Sequence, residues 1–179
     1  MKDRLETRRL LMRRWSPNDL TEMSAIYGDV DTMRWFGTGA TFSPVQVANS
    51  LVNVIAEYAD SGLGNYALIE KQNSKIIGHC GVHRGHEPDI AVEIDCRVAR
   101  ERWGLGYGTE AAIAVVRQAF LEKRAQIISG VAHKENRPSI ALMRRLGMSY
   151  VGSRVRFGFD SVVYEVGPEP FFAKLKATV

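Results

Sequence analysis

Cysteine is scarce in this sequence: Cys80 and Cys96 are the only two among 179 residues. Small secreted domains that rely on disulfides contain many more, so a disulfide framework is excluded. No apolar run approaches the roughly 20 residues that a membrane-spanning helix requires, and residues 1–15 lack the apolar segment of a signal peptide. From these absences we expect a cytoplasmic protein that makes no contact with membranes.

Linkers and repeats are also missing. No tract rich in proline, glycine or serine divides the chain, and no low-complexity segment or long run of like charge occurs. Since 45% of the residues are hydrophobic, we expect one domain spanning residues 1–179, large enough to bury about two-thirds of its unfolded surface. The formal net charge of +4 at pH 7 favours an anionic ligand only weakly, and no nucleic-acid partner is expected.

Local patterns predict interspersed helices and strands. The segments SPND at 16–19 and SPVQ at 43–46 each combine a serine cap, a first-turn proline and a polar residue at the third helical position, which is typical of helix starts. Residues 89–98 alternate apolar side chains with mostly polar ones, Glu93 and Asp95 among them, which predicts a strand with one apolar and one polar face. The predicted order is β-α-α-β-β-β-α-β-α-β-β, which favours an α/β fold with a mixed, largely antiparallel sheet.

Three glycines at every second position, Gly104, Gly106 and Gly108, lie in the segment ERWGLGYGTE just before a predicted helix. A dinucleotide fingerprint requires G-x-G-x-x-G after a fully buried strand, and a P-loop requires a Lys-Ser/Thr pair, so both are excluded. Successive amides at a helix start can form a concave anion site, because glycine lets phosphate oxygens approach the N–H groups. A tight strand-to-helix turn would also explain the glycines.

Several motifs together carry a family resemblance. The segments ETRRLLMRRWSPNDL, IIGHCGV, WGLGYGTEA and ENRPSIALMRRLGM resemble those of the GNAT superfamily of acetyl-CoA-dependent N-acetyltransferases, in particular its Rim-type branch of ribosomal-protein N-terminal acetyltransferases. The resemblance covers nearly the whole chain and implies a mostly antiparallel sheet of about seven strands flanked by about four helices. In the pyrophosphate motif of the superfamily, Gln/Arg-x-x-Gly-x-Gly/Ala, Trp103 takes the first place, and Gly106 and Gly108 take the glycine places.

The resemblance also implies acetyl-CoA as the co-substrate. Main-chain groups of Cys96 and Val98 would bind the pantetheine arm as if it were an added strand, and the glycines would bind the pyrophosphate. The residues that would contact acetyl-CoA are Cys96, Val98, Trp103, Gly104, Leu105, Gly106, Tyr107, Gly108, Thr109, Asn136, Ser139 and Met143. An arginine among Arg100, Arg102 and residues 144–145 would bind the 3′-phosphate.

Glu93 is the candidate general base, because the Rim-type branch has a glutamate ten residues before the position of Trp103. A carboxylate at this place could take a proton from the acceptor amine, directly or through water. Asp95, on the same strand face, is the second choice. A glutamate that merely faces solvent from the strand is the alternative interpretation.

The group that protonates the departing thiolate is less clear from the motifs. Many relatives have a tyrosine where this chain has Met143, which cannot donate a proton. The branch suggests Ser139 as a substitute, with Asn136 positioning groups nearby. Both could instead serve only the start of a helix.

A cluster of possible metal ligands occurs in HCGVHRGHEPD, which contains His79, Cys80, His83 and His86. Zinc sites use such residues. However, His79 and Cys80 are adjacent on a predicted strand and point to opposite faces, so no metal is expected. A histidine that lines the acceptor pocket is the alternative use.

The expected reaction is direct attack of a primary amine on the thioester, since no nucleophile motif such as G-x-S-x-G occurs. The acceptor is either a protein N-terminal α-amine or a small-molecule amine, in a pocket shaped by residues 34–46 and the C-terminal hairpin. The alternative is a non-catalytic module that binds acyl-CoA, or RNA through the segment RVRFGF at 154–159. A monomer or a homodimer is expected.

Overall fold

The computed structural model describes residues 1–86, 88–122 and 124–177, which form one sheet of eight strands and six α-helices. The strands are β1 (Arg4–Glu6), β2 (Leu10–Arg14), β3 (Gly64–Glu70), β4 (Lys75–Arg84), β5 (Val92–Val98), β6 (Ile128–His133), β7 (Ser149–Arg156) and β8 (Phe159–Val166). The helices are α1 (Leu20–Tyr27), α2 (Val30–Met33), α3 (Pro44–Ser61), α4 (Tyr107–Leu121), α5 (Arg137–Arg145) and α6 (Pro168–Lys176). None of these helices is long and apolar enough to cross a membrane.

The sheet has the order β1-β2-β3-β4-β5-β6-β8-β7. β5 and β6 are parallel, because α4 crosses over between them, whereas the other neighbouring strands are antiparallel. In the described chain β5 and β6 pair at a single register, Glu93 with Ser129. The two strands therefore separate beyond Glu93, toward the end of β5 that leads into the glycines.

Different helices cover the two faces of the sheet. Along β3, Tyr66 and Leu68 join the core beneath α4, whereas Ala67 belongs to a second core cluster with residues of α1 and α3. This follows from the two-residue period of a strand, which sends successive side chains to opposite faces. Buried side chains such as Leu68 each stabilise the fold by about 1.5–3 kcal/mol relative to exposure.

The mixed α/β fold with a mostly antiparallel sheet is confirmed, with more elements than expected. β1 has three residues and α2 has four, too few for a periodic pattern to reveal. α6 is positioned by a tertiary contact, since Phe171 is fully buried with its ring centroid 5.5 Å from that of Phe120. The strand predicted at 89–98 begins only at Val92.

Both predicted helix starts are confirmed. At α3, Ser43 Oγ accepts a hydrogen bond from the Gln46 amide at 3.4 Å, and the Gln46 side chain accepts one from the Ser43 amide at 2.8 Å. The helix ends at Gly62, whose φ of +68° is a left-handed conformation that glycine adopts without strain. At 16–19 the Asp19 carboxylate accepts a bond from the Ser16 amide at 2.8 Å, and the segment forms a short 3₁₀ turn that leads directly into α1.

We expect replacement of Ser43 by alanine to lower the free energy of unfolding by about 1 kcal/mol, because the Gln46 amide loses its acceptor. Ser24→Ala is the matched control, since Ser24 is half-buried and its hydroxyl donates to the Leu20 carbonyl of its own helix; its effect should stay within about 0.5 kcal/mol. Urea unfolding measures both. Equal effects of the two substitutions would show that the capping box does not set the start of α3.

Candidate active site

A cavity of about 1540 Å³ opens where β5 and β6 separate. Its walls include residues 93–98 of β5 and 130–133 of β6, beyond the point where the strands pair. Every predicted site residue lines this one cavity: Glu93, Cys96, Val98, Trp103, Gly104, Leu105, Gly106, Tyr107, Gly108, Thr109, Asn136, Ser139 and Met143. The fold thus gathers residues that lie between Glu93 and Met143, up to 50 positions apart in the sequence.

The glycine loop, residues 103–108, enters α4 through two left-handed residues. Gly104 and Gly106 have φ values of +75° and +81°, and Gly106 is the N-cap of α4. A Cβ added at Gly104 would meet no atom within 4 Å, whereas one at Gly108 would contact Cys96 Sγ at 3.5 Å. Two of the glycines therefore serve the turn, whereas a Cβ at Gly108 would make only ordinary van der Waals contact with β5. The first turn of α4 leaves N–H groups at 107–109 without intrahelical acceptors, which suits an anion.

One side of the glycine loop is held by Arg9. Its guanidinium donates to the Leu105 carbonyl at 2.8 Å and to Glu110 Oε2 at 2.7 Å. Thr7 Oγ1 donates to the other oxygen of Glu110 at 2.5 Å. Although burial acts to raise the pKa of Glu110, the hydrogen bonds from Thr7 and Arg9 hold that pKa below its ordinary value. The turn between β1 and β2 is thus bonded to both the loop and α4.

The other side of the loop is held by Glu70. The Tyr107 hydroxyl donates to Glu70 Oε1 at 2.5 Å, and Arg102 donates to Oε2 through two nitrogens at 3.1 and 3.0 Å. The bond from Tyr107, and then those from Arg102, keep the pKa of Glu70 below its ordinary value. We call Arg9 and Glu70 the loop clamp, because together they bind residues 102, 105, 107 and 110 and so hold the glycine loop in place. Sequence reasoning missed both residues, although Arg9 lies in the quoted motif ETRRLLMRRW.

Trp103 ties the start of the loop to the end of β5. Its indole N–H donates to the Val98 carbonyl at 2.6 Å, and the Arg100 guanidinium stacks over its ring at 4.9 Å. This contact gives the tryptophan at the first motif position a structural role. Of the arginines proposed for the 3′-phosphate, Arg102 is engaged by Glu70, whereas Arg145 is exposed and lines the cavity.

The polar face of β5 is buried beneath α1 and the segment that follows α2. Glu93 is 5% exposed, so the interpretation of a solvent-facing glutamate is wrong. Its Oε1 accepts a bond from Arg156 Nη1 at 2.6 Å, and its Oε2 is buried with no hydrogen-bond partner among the described residues. Arg97, also buried, is stacked between the rings of Phe36 at 3.7 Å and Tyr27 at 4.8 Å.

Asp95 lies between these two residues and is bound by His79. The distance from His79 Nε2 to Asp95 Oδ2 is 2.9 Å, and Asn65 Nδ2 donates to the same oxygen at 3.3 Å. Burial lowers the pKa of His79. For Asp95 burial acts in the raising direction, but His79 and Arg97 hold its pKa well below the ordinary value. Since Asp95 Oδ2 is engaged by both His79 and Asn65, Asp95 is a weak proton acceptor.

The start of α5 forms another wall of the cavity. Asn136 Oδ1 accepts from the Ser139 amide at 3.2 Å and so caps α5. Met143 is 4% exposed, and a Cβ added at Gly130 of β6 would come within 2.5 Å of its Sδ. Met143 is therefore packed tightly between α5 and β6. Ser139 is half-buried and lines the cavity.

Several buried polar atoms of the cavity wall lack a hydrogen-bond partner within the described chain. They are Trp15 Nε1, Thr32 Oγ1, Asn65 Oδ1, Glu93 Oε2, Arg97 Nη1 and Arg156 Nε. Buried polar groups in native proteins are nearly always bonded to protein, water or ligand. Unsatisfied atoms concentrated at one cavity indicate that water or a polar ligand completes it.

Within the described ranges, no group of three or more His, Cys, Asp or Glu side chains is arranged to hold a metal ion. His79 and Cys80 lie on opposite faces of β4, as expected. Cys80 is part of the core beneath α4, whereas the ring of His79 contacts that of Tyr27 with centroids 5.8 Å apart. His83 is paired in register with Glu93 and also lines the cavity.

Known proteins share both the sequence pattern and the fold. The chain is 25% identical over 149 residues to the uncharacterized N-acetyltransferase p20 of Bacillus licheniformis, covering 83% of each protein. A GNAT-family acetyltransferase from Bacillus anthracis superposes with a TM-score of 0.78 at 21% identity, covering 92% of this chain and 98% of that one. Ribosomal-protein-S5-alanine acetyltransferase from Vibrio fischeri gives a TM-score of 0.79 at 14% identity, with 95% and 99% covered.

A further neighbour is the microcin C7 self-immunity acetyltransferase MccE, whose structure contains acetyl-CoA and AMP. It superposes with a TM-score of 0.76 at 13% identity, covering 90% of this chain and 93% of that one. The sequence model of the acetyltransferase (GNAT) domain matches residues 9–149, from the clamp residue Arg9 to the first residue of β7. The chain therefore belongs to the GNAT family of acetyltransferases.

Proposed function

We propose that this acetyltransferase transfers the acetyl group of acetyl-CoA to a primary amine by direct attack, with no acyl-enzyme intermediate. The observation that carries the proposal is that the glycine loop and the buried carboxylate of Glu93 open into the same cavity, at the place where β5 and β6 separate. An anion site and a proton acceptor in one cleft are what acetyl transfer to an amine requires.

In the half of the cavity next to α4, the residues fit acetyl-CoA. The N–H groups at 107–109 and the left-handed turn at 104–106 would bind the pyrophosphate. Beyond Glu93, β5 is paired with β4 on one side but has separated from β6 on the other, so main-chain groups at Cys96 and Val98 are suited to bind pantetheine. Arg145 is the arginine best placed for the 3′-phosphate, since it is exposed at the cavity rim.

In the other half, Glu93 would take the proton of the amine, directly or through one water. Oε2, to which no described residue is hydrogen-bonded, is the atom available for this step, because Oε1 is engaged by Arg156. Asp95 is the poorer candidate, since its pKa is held low and its Oδ2 is bound by His79 and Asn65. The thioester supplies the electrophilic carbonyl, and the chain holds the two reactants in attack geometry.

At the start of α5, Ser139 would donate a proton to the departing thiolate. Ser139 lines the cavity and carries a hydroxyl. Met143 cannot donate a proton and is tightly packed against Gly130. Asn136 would act through its cap of α5, as a positioning residue.

The acceptor is a protein N-terminal α-amine or a small-molecule amine. The first option is supported by the fold that this chain shares with an enzyme named for alanine of ribosomal protein S5. The second is supported by the fold that this chain shares with an immunity acetyltransferase whose structure contains AMP. RNA binding by the segment at 154–159 is not favoured, because Arg154 pairs with Asp89 and Arg156 pairs with Glu93. A role restricted to acyl-CoA binding is not favoured either, because it would not explain why Glu93 Oε2 is buried with no hydrogen-bond partner among the described residues.

Glu93→Gln tests the base. It keeps the shape of the side chain and its bond from Arg156 but removes the proton acceptor, so kcat/KM for the amine should fall by roughly 10²–10⁴-fold. The dissociation constant for acetyl-CoA, measured by calorimetry, should change little. Release of CoA, followed with a thiol reagent over a panel of amines and N-terminal peptides, measures the rate.

Asp3→Asn is a control for this experiment, because Asp3 is an exposed carboxylate whose ion pair with Arg14 lies outside the cavity lining. It should leave kcat/KM unchanged. Retention of the wild-type rate by the Glu93 variant, with the best acceptor and across neutral pH, would contradict the assignment and leave bulk water as the proton acceptor.

The loop clamp yields a separate prediction about the cofactor. Arg9→Gln removes the guanidinium bonds to the Leu105 carbonyl and to Glu110 Oε2. It should weaken acetyl-CoA binding by about tenfold, or ~1.4 kcal/mol, because the loop loses its fixed conformation. The value of kcat at saturating acetyl-CoA should stay within a few-fold, since Arg9 touches no reacting atom. Arg4→Gln is the matched control: Arg4 pairs with Glu6 on the surface of β1, outside the cavity lining. If both variants bind acetyl-CoA equally well, the clamp does not position the loop.

A further inference from the structure

The hairpin of β7 and β8 turns through an unfavourable residue. Arg156 pairs in register with Phe159, so the connection consists of Phe157 and Gly158 alone. Their φ values are +50° and +82°. Positive φ at both residues is the mark of a type I′ turn, for which Asn-Gly is the favoured sequence. A bulky residue such as phenylalanine rarely adopts this conformation, so the turn stores backbone strain.

Packing in the core does not explain the choice of phenylalanine. Phe157 is 58% exposed, and the guanidinium of Arg156 is stacked over its ring at 5.4 Å. A strained and exposed aromatic side chain contributes little to folding. Strain that persists in a native structure occurs preferentially where a ligand or substrate is bound.

The position of Phe157 points to the acceptor. It lines the same cavity as Glu93, and its neighbour Arg156 contacts Glu93 at 2.6 Å. Phe157 therefore lies one residue from the side chain that covers the proposed base. A group attached to the amine under attack would pass close to the tip of this hairpin.

Other aromatic rings extend the surface along the cavity mouth. The ring of His133, at the end of β6, lies 4.9 Å from that of Trp35 and 5.4 Å from that of Phe159, between centroids. These three residues come from separate segments, and all of them line the cavity. Together with Phe157 they provide a wall of exposed or half-buried rings that suits apolar or flat groups.

We propose that Phe157 contacts the acceptor, and that the acceptor carries an apolar or aromatic group beside its amine. The inference rests on the proposed amine acetylation and adds a substrate class to it. The strain at Phe157 is retained because the ring binds that group. The rings of Trp35, His133 and Phe159 form the rest of the subsite.

Phe157→Asn separates the two roles of this position. It installs the favoured Asn-Gly turn, so the melting temperature should rise by about 2–4 °C. The rate is measured on glycinamide, alaninamide, leucinamide and phenylalaninamide, which share one α-amine and differ in apolar bulk. In the wild-type enzyme kcat/KM should rise roughly tenfold or more along this series. In the variant kcat/KM should rise much less along the series, because KM for the bulkier amides increases. The affinity for acetyl-CoA should stay unchanged.

Ser74→Asn is the matched control. Ser74 is the other non-glycine residue with positive φ in the described chain, at +60°, and it is absent from the cavity lining. This variant relaxes a left-handed residue in the same way but should leave the amide series as steep as in the wild type. A merely structural role of Phe157 would give the same result for both variants.

Three outcomes would overturn the inference. The first is a rise of kcat/KM along the amide series that is as steep in Phe157→Asn as in the wild type. The second is a wild-type enzyme with no preference for apolar bulk, and this includes an enzyme that binds acetyl-CoA but acetylates none of the amides. The third is a change from dimer to monomer on Phe157→Asn with the series intact, which would assign the hairpin tip to self-association. The proposed function itself fails only if spermidine and short peptides also release no CoA.

Discussion

The separation of β5 from β6 is the constraint on which the rest of the molecule depends. Two parallel strands that pair at one register, Glu93 with Ser129, leave main-chain groups beyond that point without a partner strand. Such groups require another partner, because buried N–H and C=O groups are almost always bonded. Inside the sheet, the other neighbouring strands pair over three or more residues each, so the β5–β6 pair is where the sheet opens. That place is the cavity into which the glycine loop and the polar face of β5 both open.

Rigidity of the glycine loop comes from distant parts of the chain rather than from the loop itself. Glycine-rich segments lose much conformational entropy on ordering. The loop clamp supplies the bonds that hold the segment in place, through Leu105 on one side and Tyr107 on the other. An acetyl-CoA-dependent acetyltransferase gains from this arrangement, since amides that are already oriented need no ordering when the phosphates bind.

Sequence alone predicted the elements that local patterns specify. The alternation at 89–98 put Glu93 on a strand face, and the glycines marked the start of α4; both agree with the structure. The contacts that control these residues could not be predicted, because they join distant positions: Arg9 and Glu110 are 101 residues apart, and Glu93 and Arg156 are 63 apart. No local periodicity encodes such pairs, so the loop clamp and the cover over the proposed base required the folded structure.

The most direct test of the account is a crystal structure with a thioether analogue of acetyl-CoA, which cannot transfer its acyl group. We expect the pyrophosphate to accept bonds from amides within residues 104–109 and the pantetheine arm to lie between β5 and β6. The acyl group should then point toward the Oε2 side of Glu93. An analogue bound elsewhere, with the space between the strands left to side chains or water, would contradict the account.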